Sequence, residues 1–522
     1  AFTPANDGTL TLGTSGGTQT YNGGLTTTSV GGTVTLNGNI VSSNDAIVLG
    51  AVTLGSNTEI VTDASSNTAD ITIAAITGGS NNLTLSTGNN ITGADITVSG
   101  AISNLANLEL ADVGGTATFS ANVAAAALDA DNTVANIAFT GSSNTFSAAS
   151  TLANDGTLTF GDATGDSFTF NGGLTTSSVG GTVTLNTSIS SSDDDLTFGA
   201  VTLGNNVTLD TNSTTTNRAD ITIGAVTGGS NTLTLTTENN VTGSDITASG
   251  AISGVTTLTL ASVGGTATLS GDVDVTTLTV GNTVANVAFT GNGSSVTNAF
   301  TPANDGTFVF GASGGTQTYN AGLTTTSVGG TVTVNGTLAT SNDAVVLGAT
   351  TLGSATTIDT NASDTTGDIT IGAVTGGSNS LTLSTGDNVA NTDITASGAI
   401  SGVTTLTLAD VGGTATLSAD VDVTTLTVGS TVANVALNGD GSSVTNAVSF
   451  ANDGTLQLGD ASGDTLTFNG GLTTTSVGGT VTLNGEIESS NDAIVLGAVT
   501  LGSATTIDTD ASDTTGDITI RA

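Results

Sequence analysis

Carboxylates are almost the only side chains here that could do chemistry. The chain has 43 acidic residues against two basic ones, Arg218 and Arg521, and so no Lys; it also has no His, Cys, Met or Trp. Acidic residues gather at Asp193, Asp194 and Asp195, at Asp272 and Asp274, and at Asp508, Asp510, Asp513 and Asp517. Carboxylate and carbonyl oxygens crowded at turns are the ligand set of a hard cation, so Ca²⁺ is the metal these clusters would hold. If such carboxylates stack in register they repel one another, and a divalent ion relieves that repulsion. The competing reading is that Asp and Asn simply make turns and keep the surface solvated. Neither an EF-hand loop nor the nine-residue glycine–aspartate calcium repeat is present. Paired carboxylates also cleave glycosides. The five Glu are scattered, at Glu59, Glu109, Glu238, Glu486 and Glu488, and two Arg offer little to an acidic sugar, so no enzyme is expected.

Composition removes other chemistries. Thiolate and imidazole metal sites need Cys or His. A Cys nucleophile, a Ser-His-Asp triad and a Lys Schiff base are likewise absent by residue type. Nucleic acid needs Lys or Arg against its phosphates, and a formal charge of −41 opposes it. No apolar run is long enough to cross a membrane as a helix. Charged residues are only 9% and mean hydropathy is +0.24, unlike a disordered chain.

The elements that carry these residues repeat. Ala-Asn-Asp-Gly begins at Ala5, Ala153, Ala303 and Ala451, and Ser-Val-Gly-Gly-Thr-Val-Thr recurs around Val30, Val179, Val328 and Val477. The unit is about 149 residues, dividing the chain into 1–148, 149–298, 299–446 and a partial copy 447–522. Within the first copy, short strands are predicted at Thr9–Leu12, Thr33–Leu36, Ile47–Leu49, Asp70–Ile73, Leu83–Leu85, Asp95–Val98, Leu108–Leu110, Thr116–Phe119 and Asn136–Phe139. Gly, Asn, Asp and Ser separate them. The copies agree on which face is inward. Leu10, Leu158, Phe308 and Leu456 are all large and apolar, as are Leu12, Phe160, Phe310 and Leu458, whereas Thr11, Thr159, Val309 and Gln457 drift between them. No helical period persists.

An all-β chain of this kind is read as a parallel β-solenoid, one continuous structure with about seven coils of roughly 21 residues per repeat. The alternative is a string of β-sandwiches. Few aromatics and only Pro4 and Pro302 favour the thin core and unbroken ladders of the solenoid.

The strings Gly-Thr-Leu-Thr-Leu-Gly, Gly-Thr-Val-Thr-Leu-Asn-Gly, Asp-Ile-Thr-Ile-Gly-Ala-Val-Thr-Gly-Gly and Leu-Thr-Leu-Ser-Thr-Gly resemble the repeat regions of large bacterial surface adhesins of the filamentous-haemagglutinin type. The resemblance runs along the whole chain and is one of texture. It implies a secreted, right-handed parallel β-helix forming a stalk or fibre at the cell surface.

The expected function is therefore structural: an extracellular filament or stalk, on the cell surface or in a biofilm matrix, without an organic cofactor. Expected partners are further copies stacked end to end or a covalent continuation of the same repeat, with surface or glycan contact possible. The chain opens at Ala1-Phe2-Thr3-Pro4, which matches Ala299-Phe300-Thr301-Pro302, and stops in mid-repeat at Ile520-Arg521-Ala522. That fits either a piece of a longer chain or stacking subunits. The alternative function is a binding module for ice or glycan. It would use the pairs Thr9/Thr11, Thr33/Thr35, Thr157/Thr159, Thr182/Thr184 and Thr257/Thr259; regular Thr rows confined to one flat face would support it.

Overall fold

The computed structural model describes every residue except Thr215, Thr216, Asn239, Asn240, Asp387, Asn388, Ala511, Asp513 and Ala522. Among the described residues there is no helix. The chain forms two compact units, Ala1–Thr268 and Leu269–Ala522, divided inside the second sequence repeat.

In the first unit the backbone makes three strand passes per coil, and each pass pairs in parallel with the same pass of the next coil. One ladder runs Leu10, Val34, Val52, Ile76, Ile102. The second runs Gln19, Ile40, Ile60, Leu85, Leu110. The third runs Leu25, Ile47, Ile71, Ile96, Ala117, Ile137, Leu158. Parallel pairing to a neighbour one coil away is incompatible with sandwiches, which are antiparallel. Coil length varies: Val34 meets Val52 after 18 residues, while Ile76 meets Ile102 after 26.

The strands exist because apolar and small polar residues alternate. Val34–Val41 alternates buried and half-buried along its whole length, the signature of one packed face and one wet face. Corners need tight backbone. Gly38 has φ 67° in the corner of that strand, and a Cβ there would lie 2.2 Å from the Gly17 carbonyl oxygen. Gly336 and Gly485 occupy the same place with φ 67° and 68°, so only glycine fits.

All nine strands predicted in the first repeat are present, most within a residue of their expected ends. Two are longer than expected: Val34–Val41 and Ile102–Ala111 each turn a corner without leaving the ladder. Val52–Val61 and Val123–Ala130 are among the further strands that were not expected.

The repeat is not a whole number of coils. Leu10 and Leu158 are the same repeat position, yet Leu10 stands in the first ladder and Leu158 in the third, six and two-thirds coils on, where seven were expected. The second unit behaves alike. Phe308 pairs with Val332, in the ladder of Thr350 and Val374. Its counterpart Leu456 pairs with Val435 and Val481, in the ladder of Leu323, Val345 and Ile369. Successive repeats thus turn by a third of a coil.

Large side chains gather where repeats meet. Phe119, Phe139 and Phe160 are in register on the third ladder and stack at 4.9 and 6.0 Å. Phe146 stacks on Phe170 at 4.8 Å. In the second unit Phe300 stacks on Tyr319 at 5.6 Å. Such offset pairs add to the burial of the rings.

Candidate functional surfaces

The acidic clusters sit mostly at turns and strand ends, and Asp193, Asp195, Asp272 and Asp508 accept backbone hydrogen bonds there. Asp193 has φ 68° and caps the Thr214 N–H of the next coil. Its counterparts Asn44, Asn342 and Asn491 have φ of 62°, 77° and 68° and cap Ser65, Ser363 and Ser512 in the same way. Neutral Asn therefore fills the role that Asp193 fills in the second repeat. Asp194 lies between two like charges, and burial first, then Asp195 and Asp193, raise its pKa.

Asp195 begins a ladder of carboxylates. Its Oδ1 accepts the Asp220 N–H at 2.8 Å, Asp220 accepts the Asp245 N–H at 2.8 Å, and Asp245 accepts the Thr266 N–H at 2.7 Å. The first repeat has the same ladder one residue shorter, Asp70 to Asp95 to Thr116, because Ala46 replaces the first Asp. Where the ladder gains a third carboxylate, it also gains Arg218, whose Nη2 lies 3.1 Å from Asp220. The other copies carry Thr68, Thr366 and Thr515 there. The extra cation offsets the extra anion at the place where like charges stack.

At the end of the chain Asp508 accepts the Asp510 N–H at 2.9 Å. Asp510 has φ 47°, and Asp517 precedes the strand Ile518–Ile520. Asp513 lies outside the described residues. Among the described residues no three acidic side chains converge as a metal-binding group.

Outward Thr side chains do form columns. Thr11 faces Thr35, and Thr159 faces Thr184. The pair Thr257/Thr259 continues Thr232/Thr234. In the second unit Thr316, Thr337, Thr357, Thr382, Thr407 and Thr427 follow one another over six coils. The columns are not confined to one face. In the first unit Thr72, Thr97 and Thr118 run along the third ladder until Ala138 breaks them. Thr151, Thr175, Thr197 and Thr222 run along the second, beyond Glu109 and Asp129.

Two furrows open on the surface at the same place in the repeat. One, of about 440 Å³, spans Ser80 to Ser147 in the first unit. The other, of about 310 Å³, spans Ser378 to Thr445 in the second. Both lie where a strand turns a corner through a left-handed residue, Asn104 (φ 55°) or Gly402 (φ 67°), and the ladder slips register. Sequence reading missed them, because a register slip leaves no periodic mark.

Comparison with protein-family models, with curated protein sequences and with solved structures returns no match to this chain.

Proposed function

We propose that the chain is an extracellular structural spacer, a fibre or stalk at the cell surface or in a biofilm matrix, as the adhesin-like repeats imply. One observation carries the reading. In each unit, parallel backbone ladders pass from coil to coil through nearly every strand, and the segments between strands are short turns. The material goes into extending a ladder, and among the described residues no three acidic side chains converge as a metal-binding group. A rim of carboxylates in turns keeps such a surface solvated and discourages lateral pairing.

A module for ice would concentrate its hydroxyl rows on one flat face. Here the Thr columns occupy more than one ladder and are broken by Ala138, Glu109 and Asp129, which favours the spacer. The test is to delete one whole repeat, residues 149–298, from a surface-displayed chain tagged at its far end. A spacer keeps its β circular dichroism and melting temperature within a few degrees, and the tag moves closer to the cell. Collapse of the remaining fold, or an unchanged reach, would overturn the proposal.

A further inference from the structure

We propose that the two furrows bind a linear, uncharged glycan lying along the coil axis, with about one sugar ring per coil. The proposal adds a ligand to the spacer reading and does not need it: binding is read on the isolated chain, reach on the cell. Each furrow crosses four consecutive coils. In the first, Ser80, Asn104, Ala124 and Thr145 belong to successive coils; in the second the same positions are Ser378, Gly402, Asp422 and Ser443. Three coil spacings make the furrow about 14 Å long, and its volume falls in the range of small-ligand sites.

The chemistry of the lining selects the occupant by exclusion. A peptide strand would need unpaired backbone, but these segments already use theirs. Ser80 N–H bonds the Asn104 carbonyl at 2.8 Å, and Ala106 N–H bonds Asn81 at 2.9 Å. In the second furrow Ser378 N–H bonds Gly402 at 2.8 Å, and Thr404 N–H bonds Asn379 at 2.9 Å. A phosphate, sulfate or uronate would need a cation, and neither furrow contains one; Asp422 in the second repels anions. What remains is an apolar floor under a hydroxyl rim. Leu105 and Ala125 lie at the base of the first beside the Ala106, Ala124 and Ala126 methyls, and Val403 and Val423 at the base of the second beside the Thr404 and Thr424 side chains. The rim keeps its hydroxyls between copies while its neighbours change: Ser80 and Ser378, Thr145 and Ser443, Ser147 and Thr445. Methyl and methine surface below with hydroxyls beside it matches the C–H face and equatorial hydroxyls of a neutral pyranose chain. Without an aromatic platform each furrow binds weakly, and repetition along the chain supplies avidity.

The test is calorimetric or NMR titration of the full chain with cellohexaose, chitohexaose, laminarihexaose and mannohexaose, with heparin and polygalacturonate as anionic probes. At least one neutral hexasaccharide should bind with a millimolar or tighter Kd, and both anionic probes should fail. S80A/T145A/S147A combined with S378A/S443A/T445A should weaken binding at least tenfold while the melting temperature falls by no more than a few degrees, since five of the six side chains are exposed and only Ser443 is half-buried. Because the first furrow is the less polar, the second triple substitution alone should retain part of the binding. No neutral hexasaccharide binding at 10 mM, or binding indifferent to all six substitutions, would overturn the assignment.

Discussion

At the level of single residues, the chain is most constrained where a polar group points inward. Gln317 and Tyr319 are both buried. The Tyr319 hydroxyl donates to Gln317 Oε1 at 2.9 Å, and Gln317 Nε2 donates to the Phe289 carbonyl at 2.8 Å. Burial pushes the Tyr319 pKa well up, so the phenol stays protonated as a donor. The first repeat has the same pair, with Tyr21 donating to Gln19 at 2.6 Å. The other copies use Phe168/Phe170 and Leu466/Phe468. Polar with polar or apolar with apolar is thus the rule at this pair of positions. Tyr319→Phe alone should strand a buried amide oxygen and cost about 1–3 kcal/mol. Adding Gln317→Leu, which restores the combination found at Leu466/Phe468, should recover most of it as a non-additive term. Native-state hydrogen exchange of residues 308–340 in the two variants measures both.

At the level of elements, one coil of the second repeat departs from its relatives. Asp210 ends the strand Val207–Asp210 and hydrogen-bonds to Glu238 from the following coil. Glu238 has φ 50°, where the first and third repeats have Gly88 and Gly386 at 68° and 71°. Burial first, with a smaller part from Glu238 and against the Asn212 N–H, raises the Asp210 pKa from 3.8 to about 6. A carboxyl whose folded pKa is raised holds its proton more tightly folded than unfolded. Its contribution is complete below pH 3.8 and is lost as pH climbs through about 6. Exchange protection of residues 205–212 should therefore increase several-fold from pH 7.5 to pH 5 after correction for intrinsic rates. Glu238→Gly should reduce that response without abolishing it, because burial is the larger cause; a flat response in the unsubstituted chain would contradict the raised pKa.

The strands themselves were legible wherever large apolar residues alternate with Thr, as at Ile71–Ile73 and Ile96–Val98. Val123–Ala130 was not, because Ala at five of its eight positions carries no clear period. The corner inside Val34–Val41 was hidden because Asn37 and Gly38 read as the end of a strand. The turn role of Asp193 could be found by setting it beside Asn44, Asn342 and Asn491. The furrows could not, since they arise from a slip between coils that are far apart in sequence.

At the level of the whole molecule, the fractional repeat governs how surface features are distributed. In each unit, counterparts such as Leu10 and Leu158, or Phe308 and Leu456, stand in different ladders. Outward residues that recur in sequence are therefore dealt to different faces, which explains why the Thr columns are broken and shared. The repeat length is legible from recurring segments but this phase is not, because phase depends on how many residues each coil takes to close. The charge of −41 is then shared among ladders instead of running along one stripe, and Arg218 offsets part of it at the Asp195–Asp220–Asp245 ladder. The central claim is that the coil, held by its neighbours, is the unit of structure and of load. Single-molecule stretching of the full chain between its ends tests it most directly. Coils of 18 to 26 residues should release about 60–90 Å of contour each, in many small steps. Release in a few steps of about 300 Å or more, the length of an independently folded domain of about 100 residues, would contradict it.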